Sequence, residues 1–178
     1  MLKRLAAIAL ILISLTVQGC VQSGAGLQSY VDNIDGYTFS YPNGWVAVSV
    51  SGGADVVFRD LIEETENVSV VVSPVEGNTA LTDLGGPTDV ALKLLPMIVP
   101  ADTRSEASLV AAGERQARDV TYYLLDFTAQ LPIGDRHNLA SVAVRRGKVF
   151  TLNISAPEER WSQVKPIFRQ VVESFSVY

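Results

Sequence analysis

The sequence has few of the side chains on which most catalytic sites depend. Its 178 residues include one cysteine and one histidine. A single cysteine excludes an intramolecular disulfide and any zinc site built from cysteines. A serine triad would have to use the only histidine, His137, and the G-x-S-x-G, H-E-x-x-H and phosphate-loop motifs are missing. With no catalytic residue to name, we expect a binding protein and not an enzyme.

Positive charge is also scarce. Fourteen Lys and Arg residues against nineteen Asp and Glu give a formal net charge of -5, and removal of Lys3 and Arg4 with the N-terminal segment would make it -7. An acidic domain repels nucleic acid and anionic lipid headgroups. We therefore expect no nucleic-acid partner and no basic membrane-binding patch.

No apolar run is long enough to cross a membrane. Leu5 to Val17 covers thirteen positions, whereas a spanning helix needs about twenty. Two basic residues precede the run, as in a signal peptide, and it ends in Val17-Gln18-Gly19-Cys20, which resembles a bacterial lipobox. We predict a signal peptide at 1–19, an acylated N-terminus at Cys20 and a flexible tether over 20–29, because several acyl chains make a lasting anchor. The alternative is an ordinary secretory signal that ends beside a cysteine.

The rest of the chain, 30–178, reads as one domain dominated by strands. Apolar and polar residues alternate in short segments bounded by turn residues, which is typical of half-buried strands. Tight turns are predicted near Arg118-Asp119 and at Arg145 to Gly147. The strand candidates are Tyr37–Tyr41, Trp45–Val50, Asp55–Asp60, Val68–Val72, Glu106–Ala117, Val120–Ala129, His137–Val144 and Lys148–Ile154.

Two helices accompany the strands. One begins near Gly85-Gly86-Pro87-Thr88 and continues toward Met97, since proline is tolerated in a first helical turn. The second is predicted after Ser155 to Glu158, read as a capping box, with a kink at Pro166. Its apolar stripe consists of Trp161, Val164, Phe168, Val171 and Phe175. Two helices on a mainly antiparallel sheet of about eight strands predict an α+β sandwich.

Two groups of polar residues are candidate metal sites. Asp135 and His137 are two apart, so in an extended strand they point the same way and could share a metal with a carboxylate elsewhere. A hydrogen-bonded imidazole without metal is the alternative that we favour. Glu63, Glu64 and Glu66 lack the spacing of a calcium loop, and a solvated loop is favoured there. No cofactor is expected to be required, although Ca, Zn or Mn could bind weakly.

Five aromatic residues are expected in the core. Rings in strands more often pack across a sheet than line a ligand site. The five are Tyr37, Phe39, Tyr41, Tyr122 and Tyr123.

Several short motifs, in order along the chain, resemble those of the PsbP family. They are Y-T-F-S-Y-P-N-G-W at Tyr37 to Trp45, D-V-V-F-R-D at Asp55 to Asp60, E-N-V-S-V at Glu66 to Val70, L-G-G-P at Leu84 to Pro87, the pair Tyr122-Tyr123, R-H-N-L-A at Arg136 to Ala140, G-K-V-F-T-L at Gly147 to Leu152 and E-R-W at Glu159 to Trp161. Each motif is weak alone, but eight in order are specific. The similarity runs from about Tyr30 to Tyr178.

This resemblance implies a function as well as a fold. It implies an antiparallel sheet sandwiched by helices, in an extrinsic protein on the lumenal side of the thylakoid, bound to photosystem II. Plant PsbP helps to retain calcium and chloride at the oxygen-evolving manganese cluster. The lipobox and the short segment before Tyr37 resemble the cyanobacterial lipoprotein branch instead, which favours a monomer acting in assembly or stabilisation of the photosystem. The alternative is a lipid-anchored binding or metal-handling module that serves another lumenal or periplasmic complex.

Overall fold

The computed structural model describes residues 26–77, 79–98 and 106–178. Within these ranges the chain forms ten strands and two α-helices, an α+β fold built mainly from antiparallel sheet, as predicted. The strands are β1 (Leu27–Asp32), β2 (Tyr37–Pro42), β3 (Trp45–Val48), β4 (Val56–Asp60), β5 (Asn67–Pro74), β6 (Glu106–Ala117), β7 (Val120–Leu131), β8 (Gly134–Arg145), β9 (Lys148–Pro157) and β10 (Ser176–Val177). The helices are α1 (Pro87–Ile98) and α2 (Trp161–Ser174).

The strands form a large sheet and a small one. Seven strands pair in the order β3-β4-β5-β9-β8-β7-β6, and three pair in the order β1-β2-β10. All the pairings are antiparallel. Because β6 to β9 follow one another through short turns, the long hairpins that the sequence predicts form the centre and one edge of the large sheet.

The large sheet is covered on both faces. Successive residues of a strand point to opposite faces, so Tyr122 belongs to one apolar cluster and its neighbour Tyr123 to the other. The first cluster is completed by α2 and the small sheet, with Tyr37 and Phe39 almost fully buried. The second is completed by α1. The prediction of core positions is confirmed for Tyr37, Phe39, Tyr122 and Tyr123. Tyr41 is only partly buried and packs against the first cluster.

The start of α2 differs from the prediction. Ser155 lies inside β9, where it pairs with Asn67 and Asn138, and its hydroxyl accepts a hydrogen bond from Arg136 Nε at 2.8 Å. The helix begins only at Trp161, after a 3-10 turn at Glu158–Arg160. The predicted capping box is therefore wrong, because pairing with two neighbouring strands extends β9 through the residues assigned to the cap. The helix itself runs through Pro166.

The structure contains two strands, β1 and β10, that the sequence analysis did not predict. β1 begins at Leu27, inside the segment assigned to the tether, and β10 pairs with β2 beside it. The folded domain therefore begins at least three residues before residue 30. The predicted signal peptide and Cys20 lie outside the described residues. Among the residues that the structure describes, no helix has the length and apolar character needed to cross a bilayer.

The large sheet has two ends that carry different loops. At the first, here called the Gly26 end, lie Gly26, the β2–β3 turn, the β4–β5 loop, the β7–β8 turn and the start of α2. At the second, the Ile34 end, lie the β1–β2, β6–β7 and β8–β9 turns.

Candidate functional site

His137 lies in a buried polar cluster near the Gly26 end. It is 6% exposed, and its two ring nitrogens face two carboxylates. Nε2 is 2.6 Å from Asp126 Oδ1 on β7, and Nδ1 is 2.9 Å from Glu158 Oε2 in the turn before α2. The imidazole therefore connects the large sheet to the segment that leads into α2.

The two contacts require two protons. A neutral imidazole donates from one nitrogen and accepts at the other, and an ionised carboxylate only accepts. Both contacts are hydrogen bonds only if a second proton is present, on the ring or on a carboxyl group. Proton transfer to a substrate would need one ring nitrogen directed at the reacting group. Since both nitrogens of His137 face carboxylates, this geometry favours a role in holding elements together.

Trp161 covers one face of the histidine ring. The two rings are stacked at 3.8 Å with an interplanar angle of 10°, and Trp161 also meets Phe168 edge-on at 6.2 Å. Phe168 in turn meets Trp45 edge-on at 5.9 Å. The polar cluster is thus continuous with the aromatic core, and the first turn of α2 closes it.

Asp135 lies apart from this cluster. It is exposed and pairs with Gln130 near the β7–β8 turn, while His137 is buried and bonded to Asp126 and Glu158. Across the described ranges, no group of three or more His, Cys, Asp or Glu side chains is arranged to hold a metal ion. Metal binding by Asp135 and His137 stays a prediction, and a metal on either ring nitrogen would have to replace a contact with a carboxylate.

The carboxylates of the β4–β5 loop are engaged with arginines. Glu66 is 3% exposed and accepts a hydrogen bond from Arg160 Nε, and the Arg160 guanidinium also lies 3.3 Å from Glu63. Glu64 lies 3.9 Å from Arg59. Hydrogen bonding to Glu66 raises the pKa of Arg160 above its ordinary value. These pairings favour ion pairs over a calcium site. The expected solvated loop is wrong for Glu66, because its carboxylate is buried by its contact with Arg160.

Asp60 fixes the conformation of this loop. Its carboxylate accepts hydrogen bonds from the backbone N–H of Ile62 at 2.6 Å and of Glu63 at 3.1 Å, and from the indole N–H of Trp45 at 2.9 Å. Partial burial by itself raises the pKa of Asp60, but these donors and Arg160 outweigh it, so the pKa lies below the ordinary value of 3.8. The ionised form is therefore the one that stabilises the loop.

We expect Asp60→Asn to destabilise the domain at neutral pH and to flatten its response to acid. A lowered pKa means that the stabilisation is present above the ordinary value of 3.8 and is lost as the pH falls below it. Urea unfolding should show a loss of about 1 kcal/mol at pH 7, and the difference between variant and wild type should shrink as the pH falls below 3.8. Asp135→Asn, an exposed carboxylate near the same end, is the control and should stay within about 0.5 kcal/mol. Equal acid responses of wild type and Asp60→Asn would contradict the assignment.

The sequence analysis missed both carboxylate partners of His137. Asp126 is the one charged residue in the apolar stretch Val120 to Phe127. A single carboxylate in a strand with a buried face could have indicated that it has a polar partner. In the β7–β8 register His137 faces Thr128, so Asp126 is its diagonal neighbour. Glu158 comes from a different element and gives no such signal, because its position depends on where β9 ends.

Comparisons with known proteins agree with this fold. The family model described as PsbP matches residues 25–177. CyanoP of Thermosynechococcus vestitus is 49% identical, with all of both chains covered. CyanoP of Synechocystis sp. is 44% identical over 94% of this chain and 93% of its own length. The solution structure of Synechocystis CyanoP superposes with a TM-score of 0.74, at 42% identity, over 92% of this chain and 99% of that one.

The match therefore covers the whole described domain, including the residues of the histidine cluster and the loop that Asp60 fixes. A family model over this span and relatives of this identity are sufficient to assign the family. The chain belongs to the PsbP family.

Proposed function

We propose that this protein is an extrinsic lipoprotein on the lumenal side of the thylakoid membrane, where it binds photosystem II and acts in its assembly or stabilisation. The observation that carries the proposal is the full-length match to two CyanoP proteins, combined with Cys20 at the end of a signal-like apolar run. Its partners are lumen-exposed photosystem subunits and the membrane that holds the acyl chains. The protein acts as a monomer.

Two features of the described residues bear on the proposal, a hollow beside α2 and the enclosed histidine. A hollow of about 270 Å³ lies between β6, β7 and α2 and is lined by small residues such as Ala111, Ala112 and Gly113 together with Asp126, Arg169 and Glu173. The one histidine is enclosed by Asp126, Glu158 and Trp161 and is not directed into solvent. The proposal therefore assigns no catalytic step to either feature.

A membrane tether makes a weak protein contact sufficient. Holding the domain near its target raises its effective concentration toward the millimolar range typical of short tethers. A contact of modest affinity is then occupied on the membrane although it dissociates after detergent extraction. The test must therefore be made in intact thylakoids.

Photocrosslinking in intact thylakoids tests the proposal. A photoreactive residue is placed at Leu92, 59% exposed on α1, and at Ile34, 90% exposed at the Ile34 end, with buried Ala91 as the matched control. We expect crosslinks from the exposed positions to lumenal subunits of photosystem II, and none from Ala91. Deletion of the protein should slow photosystem II assembly or recovery from light damage more than it lowers steady oxygen evolution. Crosslinks to unrelated proteins with normal assembly would overturn the proposal in favour of a module serving another complex.

A further inference from the structure

Three large aliphatic side chains project into solvent at the Gly26 end. Leu61 and Ile62 in the β4–β5 loop are 60% and 88% exposed, and Ile133 in the β7–β8 turn is 83% exposed. Exposed apolar side chains are common singly. Here they occupy the tips of two loops at one end of the sheet, which is the arrangement of a contact surface.

The two loop tips are connected. Arg136, three residues after Ile133, donates a hydrogen bond to the carbonyl of Thr65 in the β4–β5 loop. The same arginine donates to Ser155 Oγ on β9, between the two loops. The two loops that carry the three aliphatic residues are therefore connected by the hydrogen bonds of Arg136.

The β4–β5 tip is held in its exposed conformation. Asp60 accepts hydrogen bonds from the N–H groups of Ile62 and Glu63, and the backbone closes through Glu66 N–H to Glu63 O at 2.7 Å. The flanking carboxylates are paired with Arg59 and Arg160. The tip thus presents aliphatic side chains next to carboxylates that are partly neutralised. Arg59 and Arg160 offset two of the four negative charges at positions 60, 63, 64 and 66, which weakens the repulsion that would oppose contact with a bilayer.

The start of the folded domain is at this same end. The carbonyl of Gly26 accepts a hydrogen bond from Asn43 N–H at 2.7 Å, and two residues later Trp45 pairs with Asp60. Leu61 and Ile62 follow Asp60 directly. The point where the tether enters the domain therefore lies close to the β4–β5 tip.

The tether is short. Six peptide units separate Cys20 from Gly26, and at about 3.3–3.6 Å per residue they span at most about 22 Å. An acylated Cys20 holds its own backbone at the membrane surface. The Gly26 end is then confined to within that distance of the lipid headgroups.

We propose that Leu61, Ile62 and Ile133 insert into the interfacial layer of the bilayer and fix the orientation of the domain on the membrane. This inference rests on the acylation of Cys20 in the proposed function. The occupant is lipid, because the tether brings lipid to this end whatever protein partner is bound elsewhere. The contact gives the domain one preferred orientation, with the Ile34 end and the α1 face free for protein partners.

The experiment compares matched isoleucines at the two ends. Ile62→Cys and Ile133→Cys place an environment-sensitive fluorophore at the Gly26 end, and Ile34→Cys, with 90% exposure against 88% for Ile62, places it at the other. The full-length acylated protein is purified and incorporated into phosphatidylcholine vesicles, with and without bromine on the acyl chains. Acylated Cys20 carries a thioether and is not labelled, so each variant has one labelled position.

We expect emission from positions 62 and 133 to shift to the blue in vesicles and to be quenched by brominated lipid, while position 34 reports water. An aqueous signal at all three positions on anchored protein would overturn the proposal. A blue shift at position 62 in thylakoids but not in pure lipid vesicles would also overturn it, by showing that a protein covers the tips. A free thiol at Cys20 by mass spectrometry, with protein that does not stay on vesicles, would overturn the anchor itself and the proposal built on it.

Discussion

Replacing Trp161 with alanine is expected to lower the free energy of unfolding by about 3–5 kcal/mol, the usual cost of deleting a buried aromatic ring. Trp161 is 7% exposed, stacks on His137 and packs against Phe168. Its loss would leave a cavity at the junction of α2 and the large sheet. It would also open the buried contacts between His137 and its carboxylates to water. Since domains of this size are stable by about 5–15 kcal/mol, the loss is a large fraction of the total.

The measurement is urea unfolding followed by far-ultraviolet circular dichroism, which does not depend on the tryptophan that is removed. Trp161→Phe is the matched control, since a smaller ring keeps part of the stacking, and its loss should be clearly smaller. A loss below about 1 kcal/mol for Trp161→Ala, the level of a typical substitution, would show that the His137 cluster does not depend on its aromatic cover.

Replacing Cys20 with alanine is expected to move the protein from the membrane fraction to the soluble fraction after a salt wash. Each buried methylene of an acyl chain contributes about 0.8 kcal/mol, so several chains hold a protein that one loop contact does not retain. The measurement is fractionation with mass spectrometry of the N-terminus. Gln18→Ala, which keeps the cysteine, is the control and should stay on the membrane.

A second form separates loss of acylation from failure of signal cleavage. A Cys20→Ala chain that keeps its uncleaved apolar segment could remain bound for that reason. The same domain exported with an ordinary cleavable signal peptide has neither acyl chains nor the apolar segment. Retention of that form on washed membranes would contradict the lipid anchor and would indicate that a protein contact holds the domain.

Several elements were predictable because their signals are local. The hairpins β6–β7 and β8–β9 follow from alternation and from turn residues such as Gly147. The stripe from Trp161 to Val171 predicted the buried face of α2, and proline at position 87 predicted the start of α1. The ends of the elements were predicted less well. Phe175 was assigned to the apolar stripe of α2 but lies just after the helix in extended conformation. An apolar stripe does not show where a helix ends.

The histidine cluster was only partly predictable. The sequence singled out His137, but paired it with Asp135, two residues away in the same strand. The hydrogen-bond partners that the structure shows lie on β7 and in the turn before α2. Alternation along a strand shows which face a residue occupies, whereas the contacts on that face depend on the register of the next strand and on the helix above it.

The sequence by itself determined the class of the protein: an α+β domain with one cysteine after a signal-like apolar run, motifs of the PsbP family in order, and no constellation of catalytic residues. These properties depend on composition, period and spacing, all of which act locally along the chain. Only the tertiary structure decided that Asp126, His137 and Glu158 meet, that Arg160 pairs with Glu66, and that the aliphatic tips of two separate loops share the end where the tether enters. The physical reason is that these contacts join residues from 11 to 94 positions apart in the sequence. Their geometry depends on strand register and helix docking, which are set by packing of the whole core.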